Sequence, residues 1–498
     1  MSRQALPPVL PASTPLASAV PLTRDAVLLL GLGALSLVGY LALRPTLPAA
    51  GVRDIAGFAV VFALLFAFYI AGCALALRGA VRGRTALLAG LALAAAFRLL
   101  LLPQAPTLSG DAYRYVWDAR LLAHGLSPYL YTPLDPRVAA LRDAAVYPHI
   151  GWYFEPTLYP PAAQYVYLLT RLLAPDNVIA IKIVMLGFEA VTVVGLMALL
   201  RARGQDPARV LIYAWNPLAV VEIAGNGHVD AAAAAMIVLA LLAQRRGRPG
   251  LAGALIGLAT LFKLFPLALL AALDRRDLRR AVPAALATVA AGYLPFLLTR
   301  ATPFGFLGRY AADQEANQWL YVPAHLARDV GTRHLLHALP ILALVCAVAL
   351  LAALRWRGRL DTITAAFLLL LTVLLFSPSM YPWYLLTVLP FVALGLRDMR
   401  PIAVGTPLGA EGRQTGLAYL PRIALGPALY LAPLLFGATV VWSYAFYELN
   451  GPLWWLGVLE YVPLYGLLAL AALSAAGLHP FRSALFRLLR PVVRGTEV

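Results

Sequence analysis

The chain has 498 residues, of which 61% are hydrophobic and 13% charged, and its formal net charge is +17. Soluble domains carry roughly twice that share of charged residues, and the apolar residues here form runs close to the ~20 residues that cross a bilayer, so a soluble protein is excluded. The positive charge does not indicate a nucleic-acid partner, because arginines cluster at the ends of the apolar runs. Cys73 and Cys346 both lie inside such runs, which does not indicate a disulfide framework.

We therefore predict an all-α, polytopic transmembrane helical bundle of about 13–14 spans or half-spans. Residues 1–24 are rich in Pro, Ala and Ser and are expected to form a disordered cytoplasmic tail. Residues 25–102 then hold the N-terminal spans. The first of these has no convincing small-residue cleavage site after it, so it is interpreted as retained. The expected spans of this part are 26–43, 56–78 and 85–102.

Residues 103–176 contain no spanning run and form the predicted outer-face catalytic loop. Two amphipathic pieces, 113–124 and 136–145, alternate in it with Pro-rich turns. Its many aromatic residues are typical of helices that lie at a membrane interface.

Residues 177–400 are the predicted transmembrane core, with a second outer loop at 299–333. A Lys-Leu-Phe-Pro sequence at 263–266 interrupts the apolar run 250–273, which has basic residues at both ends. We interpret that run as a broken hairpin of two half-helices; the alternative is a single tilted span, which would invert everything downstream. The other expected spans of the core are 178–200, 208–224, 229–244, 281–298, 334–354, 361–376 and 385–396.

The last part of the chain is predicted to contain a cytoplasmic loop at 401–422, C-terminal spans in 423–477 and a basic cytoplasmic tail at 478–498. With these spans, basic residues are in excess on one side. That side is expected to be cytoplasmic and to hold both termini, with the loop 103–176 on the opposite face.

The first strongly polar segment after the third span begins at Asp111, where a helix is expected to start. Asp118 follows two helical turns later, which places both carboxylates on one helix face about 10 Å apart. One interpretation is structural: Asp111 caps the helix and Asp118 pairs with Arg114 or Arg120. The other is that Asp111 is a catalytic carboxylate facing a pocket.

Further ionisable and aromatic residues lie on the outer segments or at membrane depth. Lys263 is the most informative of them, because a lysine among Leu and Phe is costly without an anionic partner; a snorkelling or carbonyl-capping lysine is the alternative. No HExxH, Walker A, GxSxG or CxxC spacing is present. The candidate substrate-binding residues are Arg114, Asp118, Tyr159, His228, Asp230, Lys263, Arg309, His325, Arg328, Tyr381 and Trp383.

Five of these candidates have structural alternatives of their own. For His228 and Asp230 the structural alternative is a turn that caps the next helix. Tyr159 precedes two prolines and fits a structural turn, whereas Tyr381 and Trp383 fit either an aromatic belt or a platform on which a sugar stacks.

Several motifs together resemble bacterial integral-membrane glycosyltransferases of the GT-C superfamily. The phrase Asp111-Ala-Tyr-Arg-Tyr-Val-Trp-Asp118-Ala-Arg120 is followed by Gly125-Leu-Ser-Pro-Tyr129 and Thr157-Leu-Tyr-Pro-Pro161. The later motifs are Gly225-Asn-Gly-His-Val-Asp230, Gly257-Leu-Ala-Thr-Leu-Phe-Lys-Leu-Phe-Pro266 and the stretch from Ser377-Pro378 to Tyr384. The resemblance covers about 85–395 and is strongest to family 87-type mannosyltransferases that use polyprenyl-phosphate sugars. In the simplest such enzymes the acidic residue follows the first span, whereas here it follows the third.

The resemblance implies a GT-C-like fold and inverting transfer of a hexose, mannose by analogy, to a lipid-linked or cell-envelope glycan. Asp111 would then be the general base, and Lys263, His228, Arg309 and Arg328 would be the candidates to meet the leaving lipid phosphate. Asp111, Asp118, His228 and Asp230 are also metal-ligand types, but a monophosphate leaving group does not require a metal, so no metal or other cofactor is expected.

The resemblance also implies a multi-pass protein of the bacterial inner membrane with its site on the periplasmic or exterior face. The partners it implies are a polyprenyl-phosphate sugar, a glycan or glycolipid acceptor and membrane lipid. The rival functions are a transporter or flippase of lipid-linked sugars, which would also have broken helices, and a non-catalytic scaffold.

Overall fold

The computed structural model describes residues 24–47, 54–81, 83–298, 302, 304–309, 321, 324, 327–377, 380–396, 427–441 and 454–475. The predicted tails 1–24 (except Arg24) and 478–498, the loop 401–422 and most of the loop 299–333, including His325, lie outside these residues.

The described residues form helices and turns and contain no strand, which confirms the predicted all-α class. The longer helices are α1 Arg24–Leu43, α2 Ile55–Leu77, α3 Gly83–Leu101, α4 Asp111–Ala123, α5 Pro161–Leu173, α6 Val178–Ala202, α7 Asp230–Arg245, α8 Pro249–Thr260, α9 Leu278–Leu297, α10 Val330–Trp356, α11 Thr362–Phe376, α12 Leu389–Gly395, α13 Pro427–Thr439 and α14 Trp454–Ala475. Short 3₁₀ turns connect them at Arg44–Thr46, Pro136–Leu141, Tyr147–His149, Pro207–Val210, Phe265–Ala272 and Pro382–Thr387.

Six helices of the described chain are long and apolar enough to cross a membrane, namely α1, α2, α3, α6, α9 and α10. Helix α10 exposes large apolar side chains, among them Leu335, Leu342 and Leu350, each about 60% accessible. Such a surface is costly in water but is what the hydrocarbon of a bilayer covers. The helices therefore confirm a polytopic membrane protein.

The run 208–224 is not the single span that the sequence suggests. It consists of the 3₁₀ turn Pro207–Val210, two very short α-helical pieces and a π-helical segment, Val220–Gly225. Asn216 causes one interruption, because its side chain accepts hydrogen bonds from the backbone N–H groups of Leu218 and Ala219. A residue before proline also disfavours the α conformation, and Pro217 follows Asn216 directly.

The apolar run around Lys263 is also interrupted. Helix α8 ends at Thr260, and a 3₁₀ stretch, Phe265–Ala272, packs against it. Helix α9 crosses α8 closely at Gly253. A Cβ at this position would lie 2.0 Å from the carbonyl oxygen of Ala281, so a larger residue would push the two helices apart. Small residues at this crossing let two backbones approach within a membrane, where packing drives helix association.

Two buried positive charges, Arg98 and Lys182, tie α6 to α3 and to the chain just beyond α3. Arg98 of α3 donates two hydrogen bonds to the carboxylate of Glu189 on α6, at 2.6 and 2.5 Å. Lys182 of α6 donates to the carbonyl oxygens of Leu102 and Gln104, at 2.7 and 2.6 Å, just beyond the end of α3. These pairings satisfy charges that would otherwise be very costly at such depth.

The outer segment 103–176 is tied together by Arg120 of α4. Its guanidinium contacts the carboxylates of Asp143 and Asp176 and donates to the carbonyl oxygen of Leu141 at 2.7 Å. The piece predicted as amphipathic at 136–145 is only the 3₁₀ turn Pro136–Leu141. Helices α4 and α5 pack against each other and so place the start of α4 over the interrupted spans.

Candidate active site

Helix α4 begins at Asp111, and a close backbone contact fixes the chain just before it. A Cβ at Gly110 would lie 2.6 Å from the backbone nitrogen of Gly151, so any larger residue would push the two segments apart. The Asp111 carboxylate oxygen Oδ2 lies 3.4 Å from Nδ1 of His228, and the Tyr115 hydroxyl, one turn along α4, lies 3.5 Å from the same oxygen. Asp111 thus faces other side chains of the protein interior.

The π-helical segment and the turn after it supply the opposite side of His228. Nε2 of His228 lies 3.3 Å from Oε2 of Glu222, which also accepts a hydrogen bond of 3.0 Å from the Asn226 side chain. Gly227 has a φ of +78°, a conformation that side-chain-bearing residues rarely adopt, and this lets the chain turn back. The turn therefore places His228 between two carboxylates.

Lys263, at the break after α8, contributes a positive charge to the site. Nζ of Lys263 lies 3.3 Å from Oδ2 of Asp230, the first residue of α7. The same ammonium lies over the rings of Tyr159 and Tyr384, 5.4 and 4.7 Å from their centroids. A cation near an aromatic face is attracted by the ring quadrupole, so the lysine is held by one carboxylate and two rings.

An aromatic stack closes the site on the side of the 3₁₀ turn Pro382–Thr387. The His228 and Trp383 rings are stacked with their centroids 3.9 Å apart, and Tyr381 stacks on Trp383 at 4.6 Å. The stack restricts the plane of the imidazole.

We use the term polar cluster for Asp111, Glu222, His228, Asp230 and Lys263. The side chains of Glu222, His228 and Asp230 are completely buried, whereas Asp111 is 20% and Lys263 9% exposed. A molecule that reaches the cluster from its exposed side can therefore touch Asp111 and Lys263 while the other three stay behind them.

Within the cluster, the neighbours of Asp111 decide its charge. Burial by itself would raise the pKa of the Asp111 carboxyl, but the hydrogen bond and charge of His228, the Tyr159 hydroxyl and the Lys263 charge together hold that pKa below its usual value. Burial would lower the pKa of His228, but the carboxylates of Asp111 and Glu222 raise it to about 9. At neutral pH the pair is therefore a carboxylate beside an imidazolium.

Arg114 and Asp118, both predicted to bind substrate, pair with each other within α4. Nε of Arg114 lies 2.8 Å from Oδ1 of Asp118, and Gln164 of α5 donates to the other carboxylate oxygen at 3.1 Å. Arg114 also donates to the carbonyl oxygen of Glu155 at 3.0 Å. Both side chains are almost completely buried, which is the local pairing that helix spacing suggests.

Arg309 and Arg328, of the second predicted outer loop, are not members of the polar cluster. Arg309 forms an ion pair with the Glu155 side chain, which joins the two outer loops, and its own side chain is 67% exposed. Arg328 is exposed just before α10.

Four residues of the site were not among the sequence candidates: Tyr115, Glu222, Asn226 and Tyr384. A signal existed for Glu222, because it is a carboxylate within an apolar run, the same property that singled out Lys263. Tyr115, Asn226 and Tyr384 carry no comparable signal, since neutral polar residues are common near membrane interfaces.

A metal ion would need several His, Cys, Asp or Glu side chains that meet at one point. Nowhere in the described parts of the chain do three or more His, Cys, Asp or Glu side chains meet in an arrangement that could hold a metal ion. In the polar cluster the cationic groups separate the carboxylates instead. The expectation that transfer needs no metal stays a prediction.

Comparisons with known proteins found a matching family model and a similar protein. The family model for Glycosyltransferase family 87 matches residues 157–378, which include the whole polar cluster except Asp111. The chain is also 26% identical over 318 residues to alpha-(1->6)-mannopyranosyltransferase A of Mycobacterium tuberculosis (strain ATCC 25618 / H37Rv), a match that covers 57% of this chain and 61% of that relative. No solved structure matches the chain. Both matches are similarities to glycosyltransferases, and they confirm the predicted resemblance to family 87-type mannosyltransferases.

Proposed function

We propose that the chain is a membrane glycosyltransferase that moves a hexose from a polyprenyl-phosphate donor to a lipid-linked or cell-envelope glycan, with Asp111 as the general base. The similarity to a mannopyranosyltransferase makes mannose the first sugar to test. The observation that carries the proposal is the exposure within the polar cluster, since Asp111 and Lys263 are its accessible members. One is a carboxylate that can take a proton, and the other is a cation that can meet a phosphate.

The proposed reaction is a single displacement. The acceptor hydroxyl oxygen bonds to the anomeric carbon while the bond from that carbon to the phosphate oxygen breaks, and polyprenyl phosphate leaves with the electron pair. The hydroxyl proton passes to the Asp111 carboxylate. Attack from the side opposite the phosphate inverts the anomeric configuration, and one base suffices for such a displacement.

Lys263 is the proposed contact for the leaving phosphate. Its ammonium already has a carboxylate partner, Asp230, at 3.3 Å, and its flexible stem lets the charge reach an oxygen outside the cluster while Asp230 stays close. The cluster holds three carboxylates and at most two cations, so it does not attract anions as a whole. The lysine at its accessible edge therefore carries the phosphate contact.

The aromatic side chains next to these groups suit a sugar. Tyr381 and Trp383 form a stacked pair beside His228, and Tyr159 lies beside Lys263. Aromatic faces bind the apolar C–H face of a hexose, and the tyrosine hydroxyls can pair with its own hydroxyls. We propose that these residues position the transferred hexose.

The proposed location is the bacterial inner membrane, with the site on the periplasmic or exterior face and both termini in the cytoplasm. The segregation of arginines in the sequence supports this orientation. The contacts between the two outer segments, through Arg309 and Glu155, support their being on one side.

The test is a transfer assay with the purified full chain in proteoliposomes. Radiolabelled mannosyl polyprenyl phosphate is the donor, and glycolipids extracted from bacterial membranes are the acceptors. We expect label to appear in a new glycoside of inverted anomeric configuration, and Asp111→Asn to lower the transfer rate at least about a hundredfold.

The control variant is Glu189→Gln, which removes another buried carboxylate, one that pairs with Arg98 away from the cluster. Folded Glu189→Gln protein should transfer sugar like the wild type. Label that changes leaflet without forming a new glycosidic bond would contradict the proposal and indicate a flippase.

A further inference from the structure

We propose that Glu222 is a positioning residue that acts through His228 on Asp111. The inference rests on the proposed function, since it concerns the base of that reaction, but it can be measured without turnover. Glu222 is completely buried behind His228 and so cannot touch a substrate itself.

The first argument is the hydrogen-bonding capacity of the imidazole. Nδ1 of His228 faces the Asp111 carboxylate at 3.4 Å, and Nε2 faces the Glu222 carboxylate at 3.3 Å. A neutral imidazole has one N–H donor and one acceptor nitrogen, whereas the imidazolium has two donors. Only the imidazolium can offer a proton to both carboxylates, so Glu222 favours the charged form.

The second argument is the way the backbone holds Glu222. Its carboxylate accepts from the Asn226 side chain at 3.0 Å, and its backbone carbonyl oxygen accepts from the backbone N–H of His228, also at 3.0 Å. Both contacts involve the π-helical segment Val220–Gly225, which contains Glu222 and ends just before Asn226. Single π turns inside helices are often found at functional sites.

The third argument is the ring stack. Trp383 lies against His228 with an interplanar angle of 12°, which restricts the plane of the imidazole between Glu222 and Asp111. A charged imidazole is attracted to the face of an indole ring. Trp383 therefore favours the same protonation state as the two carboxylates.

The other charged and titratable groups around His228 do not reverse the preference for the imidazolium form. Asp230 of α7 acts in the same direction as Glu222, and Lys263 at the helix break opposes it but lies against Asp230. Tyr115 and Tyr159 are neutral at physiological pH, and burial and the Asp111 charge raise the pKa of their hydroxyls well above the usual value. The pKa of His228, raised to about 9, agrees with an imidazolium at neutral pH.

The consequence for the reaction concerns Asp111. An imidazolium at 3.4 Å keeps that carboxylate ionised and directs one of its oxygens, leaving the other to receive the proton of the acceptor. Without Glu222 the pKa of His228 would fall, so more of the imidazole would be neutral at neutral pH, and burial would then raise the pKa of Asp111. Less of the enzyme would hold an ionised base, and the base would be aimed less well.

The direct experiment measures the protonation of His228 by NMR in the detergent-solubilised full chain. The protein carries ¹⁵N-labelled histidine, of which the chain has seven, and His228→Gln identifies the His228 signal. We expect imidazolium nitrogens at pH 7.5 in the wild type and a neutral ring in Glu222→Gln. Glu222→Asp, which keeps the charge, should retain the imidazolium. A neutral His228 in the wild type at pH 7.5 overturns the proposal.

The second readout is the pH profile of kcat/KM for sugar transfer. In Glu222→Gln the acid limb should move upward by about one pH unit or more, with a larger loss of kcat at pH 6 than at pH 8. Glu189→Gln is the matched control, a buried carboxylate of another network, and should leave both the limb and the His228 signal unchanged. An unshifted limb in Glu222→Gln contradicts the proposal.

These two readouts separate the inference from the proposed function. If the wild type transfers no sugar but the His228 signal responds to Glu222→Gln as expected, the reaction is wrong and the coupling between the two residues stands. If transfer is normal and the signal does not respond, the coupling is wrong and the reaction stands.

Discussion

The backbone carbonyl oxygen of Leu261 accepts a hydrogen bond from the backbone N–H of Ala162, at 3.0 Å. Leu261 directly follows α8, and the carbonyls at a helix end lack intrahelical donors. Ala162 is in the first turn of α5, where N–H groups lack acceptors. The carbonyl group at the end of α8 and the N–H group at the start of α5 thus satisfy each other. This contact brings Tyr159, just before α5, close to Lys263, just after α8.

The first prediction separates binding from chemistry at Asp111. Asp111→Asn keeps the shape of the side chain but removes its basicity, so kcat should fall at least about a hundredfold while donor affinity stays close to that of the wild type. Single-turnover transfer and equilibrium donor binding, measured on the same preparation, check this. Transfer by Asp111→Asn at the wild-type rate would exclude it as the base.

The second prediction concerns Asp118, whose partner Arg114 is nearly completely buried. Asp118→Asn leaves that guanidinium without its counter-charge, and loss of one partner of a buried pair costs about 3–5 kcal/mol. The thermal midpoint should therefore fall, while the protein that remains folded transfers sugar at nearly the wild-type rate. A stable but inactive Asp118→Asn would place Asp118 in the reaction.

The third prediction follows from the raised pKa of His228. Its folded-state pKa of about 9 exceeds the usual 6.5, so its stabilising contribution is fully present below pH 6.5 and is lost as the pH rises through 9. The loss is at most about 3 kcal/mol. Thermal unfolding of the wild type from pH 6 to 9.5 should show this slope, and His228→Gln should lack it. Equal slopes in the two proteins would contradict the assignment.

The fourth prediction distinguishes the structural and binding roles of Lys263. Lys263→Met leaves the buried Asp230 carboxylate unpaired and should cost about 3–5 kcal/mol. The double variant Lys263→Met/Asp230→Asn removes both charges and should recover most of the stability. It should still bind the polyprenyl-phosphate donor about 10–100-fold more weakly, since a charge-assisted bond is lost. Normal donor affinity in the double variant would make the lysine purely structural.

The fifth prediction concerns the orientation of the outer segment. Ala144 is exposed beside Asp143, so a cysteine at this position can react with a membrane-impermeant thiol reagent. Ala144→Cys in a Cys73→Ala/Cys346→Ala background should be labelled from outside intact spheroplasts. Labelling only after permeabilisation would place the site on the cytoplasmic side.

The sequence by itself determines most of the fold, because crossing a bilayer requires a long apolar run. The predicted spans 26–43, 56–78 and 178–200 lie within two residues of helices α1, α2 and α6. The interruption at Lys263 was also predictable, since a lysine and a proline close together in an apolar run break a helix. The sequence predicts one span for 208–224, because apolar length does not show whether a side chain bonds to the backbone. The Asn216 side chain does so and interrupts the helix.

Only the tertiary structure decides which polar residues meet. Asp111 and Asp118 are predicted on one face of the same helix, but in the structure Asp111 lies beside His228 and Asp118 beside Gln164 of α5. Glu222, so close to His228 in the chain, faces it through a π turn that no periodicity indicates. The physical reason is that apolar length is a local property of the chain, whereas the partner of a buried charge depends on how distant segments pack.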